Sequence, residues 1–101
     1  MGLLFNNEDE NDFILDETYS KEQIFWITLR GLISKGKVEE AEDILFKEAE
    51  NNPSEAIYEI GEKMYSLLEK MSEEELKSFN FSREEIKLGL KDLKNLINKK
   101  S

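Results

Sequence analysis

The sequence predicts an all-α domain: an antiparallel stack of helix hairpins with about four main helices and one short helix. Three observations carry that expectation. First, Ser20-Lys21-Glu22-Gln23, Ser72-Glu73-Glu74-Glu75 and Ser82-Arg83-Glu84-Glu85 all fit the capping box. In that motif a serine hydroxyl accepts from the backbone N–H three residues on, and the Gln or Glu side chain accepts in return from the serine N–H. Second, apolar residues recur at three- and four-residue steps through long windows, the period of one helix face. Third, no run alternates as a half-buried strand does, and the one proline, Pro53, stands where a helix begins.

Element by element, the first firm helix is expected from about Lys21 to Lys35. Ile24, Phe25, Ile27, Thr28, Leu29, Leu32 and Ile33 give it a wide apolar face with Trp26 beside it, and a face this broad predicts burial on more than one side. Gly36 stops it, because glycine accepts the left-handed backbone of a helix end. A second helix from about Val38 to Glu50 carries the stripe Val38, Ala41, Leu45 and Ala49, with acids crowding its first turns. Asn52-Pro53-Ser54-Glu55 reads as a third start, with Asn52 as cap and Pro53 as first helical residue. That helix runs to about Lys70 along Ile57, Ile60, Gly61, Met64, Leu67, Leu68 and Met71. Gly61 in mid-helix costs about 1 kcal/mol against alanine, which points to close helix packing there. A short helix at 73–78 and a last one from about Arg83 to Asn98 complete the domain, joined by Phe79-Asn80-Phe81, a turn with two aromatic plugs. The short connections make neighbouring helices antiparallel.

Two regions follow from the charge pattern. Residues 1–19 hold six acids and no base, and read as a flexible acidic N-terminal arm with apolar ends, Leu3-Leu4-Phe5 and Phe13-Ile14-Leu15, and a short helical turn at 12–17. Residues 20–101 read as a single helical domain. The chain's formal charge of −9 repels a polyanion, so nucleic acid is not expected as a partner. No apolar run approaches the roughly 20 residues of a membrane span. The first residues lack the basic head and cleavage site of a signal peptide, and a cytoplasmic location is expected.

The stretch 25–53 resembles one tetratricopeptide repeat. Phe25 and Leu32 fall at its large positions, Gly36 at its turn, Ala41 at the small residue of its second helix, Leu45 at the next large one and Pro53 at its close. Leu29 and Glu48 stand where that repeat places small residues. Over about residues 24–97 the chain is similar to a family of uncharacterised, repeat-like helical proteins of Gram-positive bacteria. Ser34-Lys35-Gly36-Lys37-Val38-Glu39-Glu40-Ala41-Glu42-Asp43-Ile44-Leu45-Phe46 resembles its central motif, and Asn80-Phe81-Ser82-Arg83-Glu84-Glu85-Ile86 with Gly89-Leu90 its C-terminal one. That resemblance implies a tetratricopeptide-like stack and no catalytic residues.

The residue types narrow the chemistry further. With no histidine and no cysteine, the usual general base near neutral pH, the nucleophile pairs built on it, and the commonest metal ligands are missing. Carboxylate pairs such as Glu39–Asp43 and Glu55–Glu59 read as solvated faces. Asn7, Asp9 and Asn11 alternate like a calcium loop, but Asp12 replaces its glycine and Thr18 its bidentate acid. Neither an enzyme, a cofactor nor a metal site is expected. The preferred reading is a non-catalytic protein–protein interaction module that holds a peptide or helix in an apolar groove. Trp26, Tyr58 and Tyr65 would supply apolar contact and Lys21 and Arg30 would pair acids at the rim. Two other readings stand beside it: a homodimer closing its surplus apolar face with a copy of itself, and a small acidic inhibitor mimicking nucleic acid.

Overall fold

The computed structural model describes residues 19–100. The expectations for residues 1–18, an acidic arm with a helical turn and the calcium-like alternation, lie outside the described residues. Five helices are formed among those described, with no strand between them: α1 (Lys21–Ser34), α2 (Val38–Asn51), α3 (Glu55–Glu69), α4 (Glu73–Ser78) and α5 (Arg83–Lys100).

Local chemistry sets most of the boundaries. Ser20 Oγ accepts from Gln23 N at 3.1 Å and Gln23 Oε1 accepts from Ser20 N at 2.8 Å, and equivalent reciprocal pairs join Ser72 to Glu75 and Ser82 to Glu85. Each pair satisfies two backbone donors that a helix start leaves open. α1 ends in a Schellman turn: Lys37 N donates to Leu32 O, Gly36 N donates to Ile33 O, and Gly36 has φ +78°. The same turn closes α4, with Asn80 at φ +63°, Phe81 N donating to Leu76 O and Asn80 N donating to Lys77 O. Leu76 and Phe81 are both buried, which is the apolar contact this turn favours.

One boundary differs from expectation. The cap of α3 is Ser54, whose hydroxyl accepts from Ile57 N at 3.1 Å, so Pro53 precedes the helix instead of opening it. Asn52 instead closes α2, its backbone N–H donating to Glu48 O and its side-chain amide donating to Glu48 Oε2 at 3.0 Å.

α1 packs on α2 and α3, and α5 packs on α2 and α3, with α3 and α5 sharing the most extensive contact. The core runs through Leu29, Ile33, Ala41, Leu45, Met64, Leu68 and Leu93, all at most 1% exposed. In the α3–α5 seam the two helices interlock by size. Gly61 receives Leu93, and Gly89 receives the ring of Tyr65, so each helix offers a glycine to the other's large side chain. The pairs 61 with 93 and 65 with 89 run in opposite order, which makes α3 and α5 antiparallel. Arg83 then ties the end of α3 to the start of α5, its Nη1 and Nη2 donating to Glu69 O at 2.9 Å and Met71 O at 2.8 Å. These bonds satisfy carbonyls that the end of α3 leaves open.

Candidate functional site

α1 turns only one side to the core. Leu29 and Ile33 are buried, with Phe25, Trp26 and Leu32 partly buried against them. The opposite side carries Ile24, Ile27, Thr28 and Gly31, at the three- and four-residue spacing that aligns side chains along one helix face. Ile24 is 40% exposed and Ile27 38%. The breadth of the α1 pattern predicts burial on several sides; the structure buries one, because α2 and α3 both lie on the Leu29–Ile33 side.

The uncovered side is apolar in a specific sense. Thr28 Oγ1 donates to Ile24 O at 3.0 Å and Ser34 Oγ donates to Gly31 O at 2.9 Å. Both hydroxyl protons are thus used within the helix. At Gly31, nothing outside the helix's own turn lies within 4 Å of where a Cβ would stand. Another backbone can therefore approach α1 closely there. The stripe borders a cleft of about 720 Å³ at the head of α1, lined by Lys21, Glu22, Ile24, Phe25 and Thr28 on one side and by Glu48, Asn51, Pro53 and Ile57 on the other. Residues 21–37 hold Lys21, Arg30, Lys35 and Lys37 against one acid, Glu22, a charge of +3 in a chain of −9.

The five residues expected to bind a partner fall in different places. Lys21 lines the cleft and Arg30 is exposed on α1. Trp26 is half-buried on the flank of α1 that faces α3, where Lys63 Nζ lies 5.8 Å from its ring centroid, a cation–π distance. Tyr65 is 1% exposed and belongs to the core. Tyr58, seven residues before it on the same face of α3, is half-buried against that core. The three aromatics do not share one groove: two belong to the α3 face turned toward α5, and one to α1.

Tyr65 has a different task. Its hydroxyl donates to Glu42 Oε2 at 2.6 Å, tying α3 to α2 across 23 residues of sequence. Burial, then the Glu42 carboxylate, raises the Tyr65 pKa, so the phenol remains the donor. Burial also raises the Glu42 carboxyl above its ordinary 4.5, reinforced by Glu85, Asp43 and Glu39 and opposed by the Tyr65 hydrogen bond. Glu42 borders a shallow acidic cleft between α2 and α5 with Asp43, Glu85 and Asp92, beside Phe46 and the exposed Leu88. Perturbed carboxyls in clefts are candidate catalytic groups; here the hydrogen-bond partner is a phenol buried in the seam between α3 and α5. Among the described residues, no group of three or more acids is placed to hold a metal ion. Among those residues, too, no helix is long and apolar enough to cross a membrane.

Neither a curated protein nor a solved structure matches the chain. A family pattern does, and it covers the N-terminal stretch as well as the helices: over residues 1–98 the sequence fits the family of unknown function DUF6483, and the chain belongs to that family.

Proposed function

We propose that the protein is a non-catalytic binding module that holds a peptide or helix of another protein against the outer face of α1. One observation carries this reading. A solvated stripe of Ile24, Ile27, Thr28 and Gly31 lies opposite the core, with open space over Gly31 and the nearby hydroxyl protons of Thr28 and Ser34 already bonded to the helix. Exposed apolar surface of this kind on a small domain is a common mark of an interaction site. The groove of this proposal is built from Lys21, Ile24, Ile27, Thr28 and Gly31, with Arg30 at its edge. Tyr65 has no part in it, and Trp26 stands on the far flank. Charge bears on the kind of partner: residues 21–37 carry Lys21, Arg30, Lys35 and Lys37 against Glu22, which favours an amphipathic segment with acids toward those bases, while Glu22 and Glu48 in the cleft leave room for a base at the head of α1. The α1–α2 hairpin with α3 against it supports describing the domain as a minimal tetratricopeptide-type unit.

Selection from a random peptide library against the full chain tests this. Enrichment of peptides with apolar residues at three- and four-residue spacing and acidic flanks is expected. Ile27→Glu is expected to weaken those peptides by about tenfold or more. Its urea midpoint should stay near that of the parent, because exposed positions tolerate substitution within about 0.5 kcal/mol. Peptides that bind Ile27→Glu as tightly as the parent would overturn the assignment.

A further inference from the structure

We propose a second docking surface, separate from α1: the groove between α2 and α5 receives a basic amphipathic segment of another protein, with apolar residues on Phe46, Leu88 and Leu96 and lysines or arginines on Asp43, Glu85 and Asp92. Helix direction makes the groove. Leu45 lies against Gly61 and Tyr65 reaches Glu42, so α2 runs antiparallel to α3. α5 is antiparallel to α3 as well, so α2 and α5 lie side by side in the same direction. Two clefts, of about 300 and 750 Å³, open between them and share Asp43, Phe46 and Asp92, which joins them into one groove. From Glu85 to Lys99 its α5 wall is about 21 Å long, room for roughly four helical turns of an occupant. Gly89 and the buried Tyr65 ring packed on it close the floor, so a ligand lies along the groove and does not enter the core.

Leu88 gives the groove its apolar anchor. At 58% it is the most exposed large apolar side chain among the described residues, and the others so exposed, Ile24 and Ile27, belong to α1. Phe46 and Leu96 stand beside it, half-buried. Charge decides the occupant, and it is the local charge that counts. α5 carries a net +3 over residues 83–100. Glu85, Leu88, Asp92 and Leu96 follow one another at three- and four-residue steps along the groove side, whereas Lys87, Lys91 and Lys94 are offset by two residues and fall on the opposite side. The half of the groove that holds Glu42, Asp43, Glu85 and Asp92 contains no base. Glu85 accepts from Ser82 N and Glu42 from Tyr65, while Asp43 and Asp92 take part in neither a hydrogen bond nor an ion pair among the described residues. Burial raises the Glu42 carboxyl and Glu85 and Asp43 raise it further, so these acids act on one another across the groove. A basic segment relieves that repulsion and an acidic one adds to it. Toward the C-terminal ends of the two helices Lys47 and Lys99 accompany Glu50, so the bases of the occupant belong over the N-terminal half.

The probe is a fluorescent synthetic peptide of roughly four helical turns, with leucines at three- and four-residue spacing and lysines on both flanks, titrated into the full-length protein. A scrambled peptide of the same composition and a counterpart with glutamate for lysine are the controls. The lysine peptide is expected to bind about tenfold or more tighter than the scrambled one, to weaken as salt rises, and to shift the amide resonances of residues 42–50 and 85–99. The glutamate counterpart should leave those resonances unmoved. Leu88→Ser, and separately Asp43→Lys with Asp92→Lys, should each weaken the lysine peptide about tenfold or more. Their urea midpoints should stay near that of the parent, because all three positions are exposed. Ile27→Glu should leave this binding unchanged, so the groove and the α1 stripe stand or fall separately. Equal binding of the scrambled peptide would reduce the effect to bulk charge and overturn the proposal. So would a Leu88→Ser chain that binds like the parent, or shifts confined to α1. Sedimentation showing a dimer of the parent that Leu88→Ser dissociates would assign the groove to a second copy and overturn it as well.

Discussion

Gly31 in α1 and the pair Gly61 and Gly89 in α3 and α5 occupy similar mid-helix positions with opposite surroundings. Each forgoes about 1 kcal/mol of helix propensity against alanine. At Gly61 and Gly89 the missing Cβ is filled by the partner helix, by Leu93 in one case and the Tyr65 ring in the other. At Gly31 the space stays open. The α3–α5 seam thus recovers the lost propensity as packing, while α1 recovers it from nothing else in the described residues. The difference teaches where the fold ends and where a surface for something else begins. Glycine conserves room in both places, but only one of those rooms is occupied by the helices themselves.

Substitutions at these positions test that contrast. Gly89→Ala is expected to have the largest effect, a net loss of about 1–2 kcal/mol in urea unfolding. The overpacking cost of about 1–3 kcal/mol exceeds the propensity gain there, because the ring it meets is rigid and pinned by Glu42. Gly61→Ala meets a methyl of Leu93, which can turn aside, and should lose less; equal losses at both sites would undo the account of the seam.

Tyr65→Phe comes next, at about 1 kcal/mol, since it leaves the half-buried Glu42 carboxylate without its donor. A double-mutant cycle with Glu42→Gln should show coupling between the two. Additive losses would mean that the hydrogen bond contributes little in solution.

Gly31→Ala should act in the other direction. A gain of up to about 1 kcal/mol is expected in urea unfolding, because no described residue lies within 4 Å of the added methyl. Destabilisation would show that the space over Gly31 is filled in the folded protein and would erase the contrast.

The smallest effect concerns pH. A carboxyl raised above its unfolded value binds its proton more tightly in the folded state. Its contribution to stability is therefore fully present below about pH 4.5 and lost as pH rises through the folded value. Urea midpoints of the parent should fall across that window more than those of Glu42→Gln, by less than about 1 kcal/mol given the partial exposure of the group. An unchanged pH profile in the variant would remove Glu42 as the source.

Much of the fold was legible because its signals are local. Ser20, Ser72 and Ser82 announce their helices within four residues, and Gly36 marks a stop for the same reason. The start of α3 was legible only to within two residues: two overlapping signals competed, and Asn52 was drawn off by Glu48, four residues earlier. Gly61 could be read as a point of close packing, but its partner could not. The candidate site was legible in part. Periodicity put Ile24, Ile27 and Thr28 in one wide apolar face of α1 with Lys21 and Arg30 at a rim, but it did not single out Gly31, and it gave the aromatics Tyr58 and Tyr65 a surface role that packing against α5 denies to Tyr65. Arg83 on the Glu69 and Met71 carbonyls, and Tyr65 on Glu42, went unread, since no spacing rule links residues 12 to 23 positions apart.

By itself, then, the sequence determined the all-α class, the starts of the helices headed by Ser20, Ser72 and Ser82, and which residues share a helix face, because caps and periodicity act over three or four residues. Tertiary structure alone decided which of those faces is covered. Burial depends on what α2, α3 and α5 bring alongside, so only their packing could close the Tyr65–Gly89 seam and leave the outer side of α1 open.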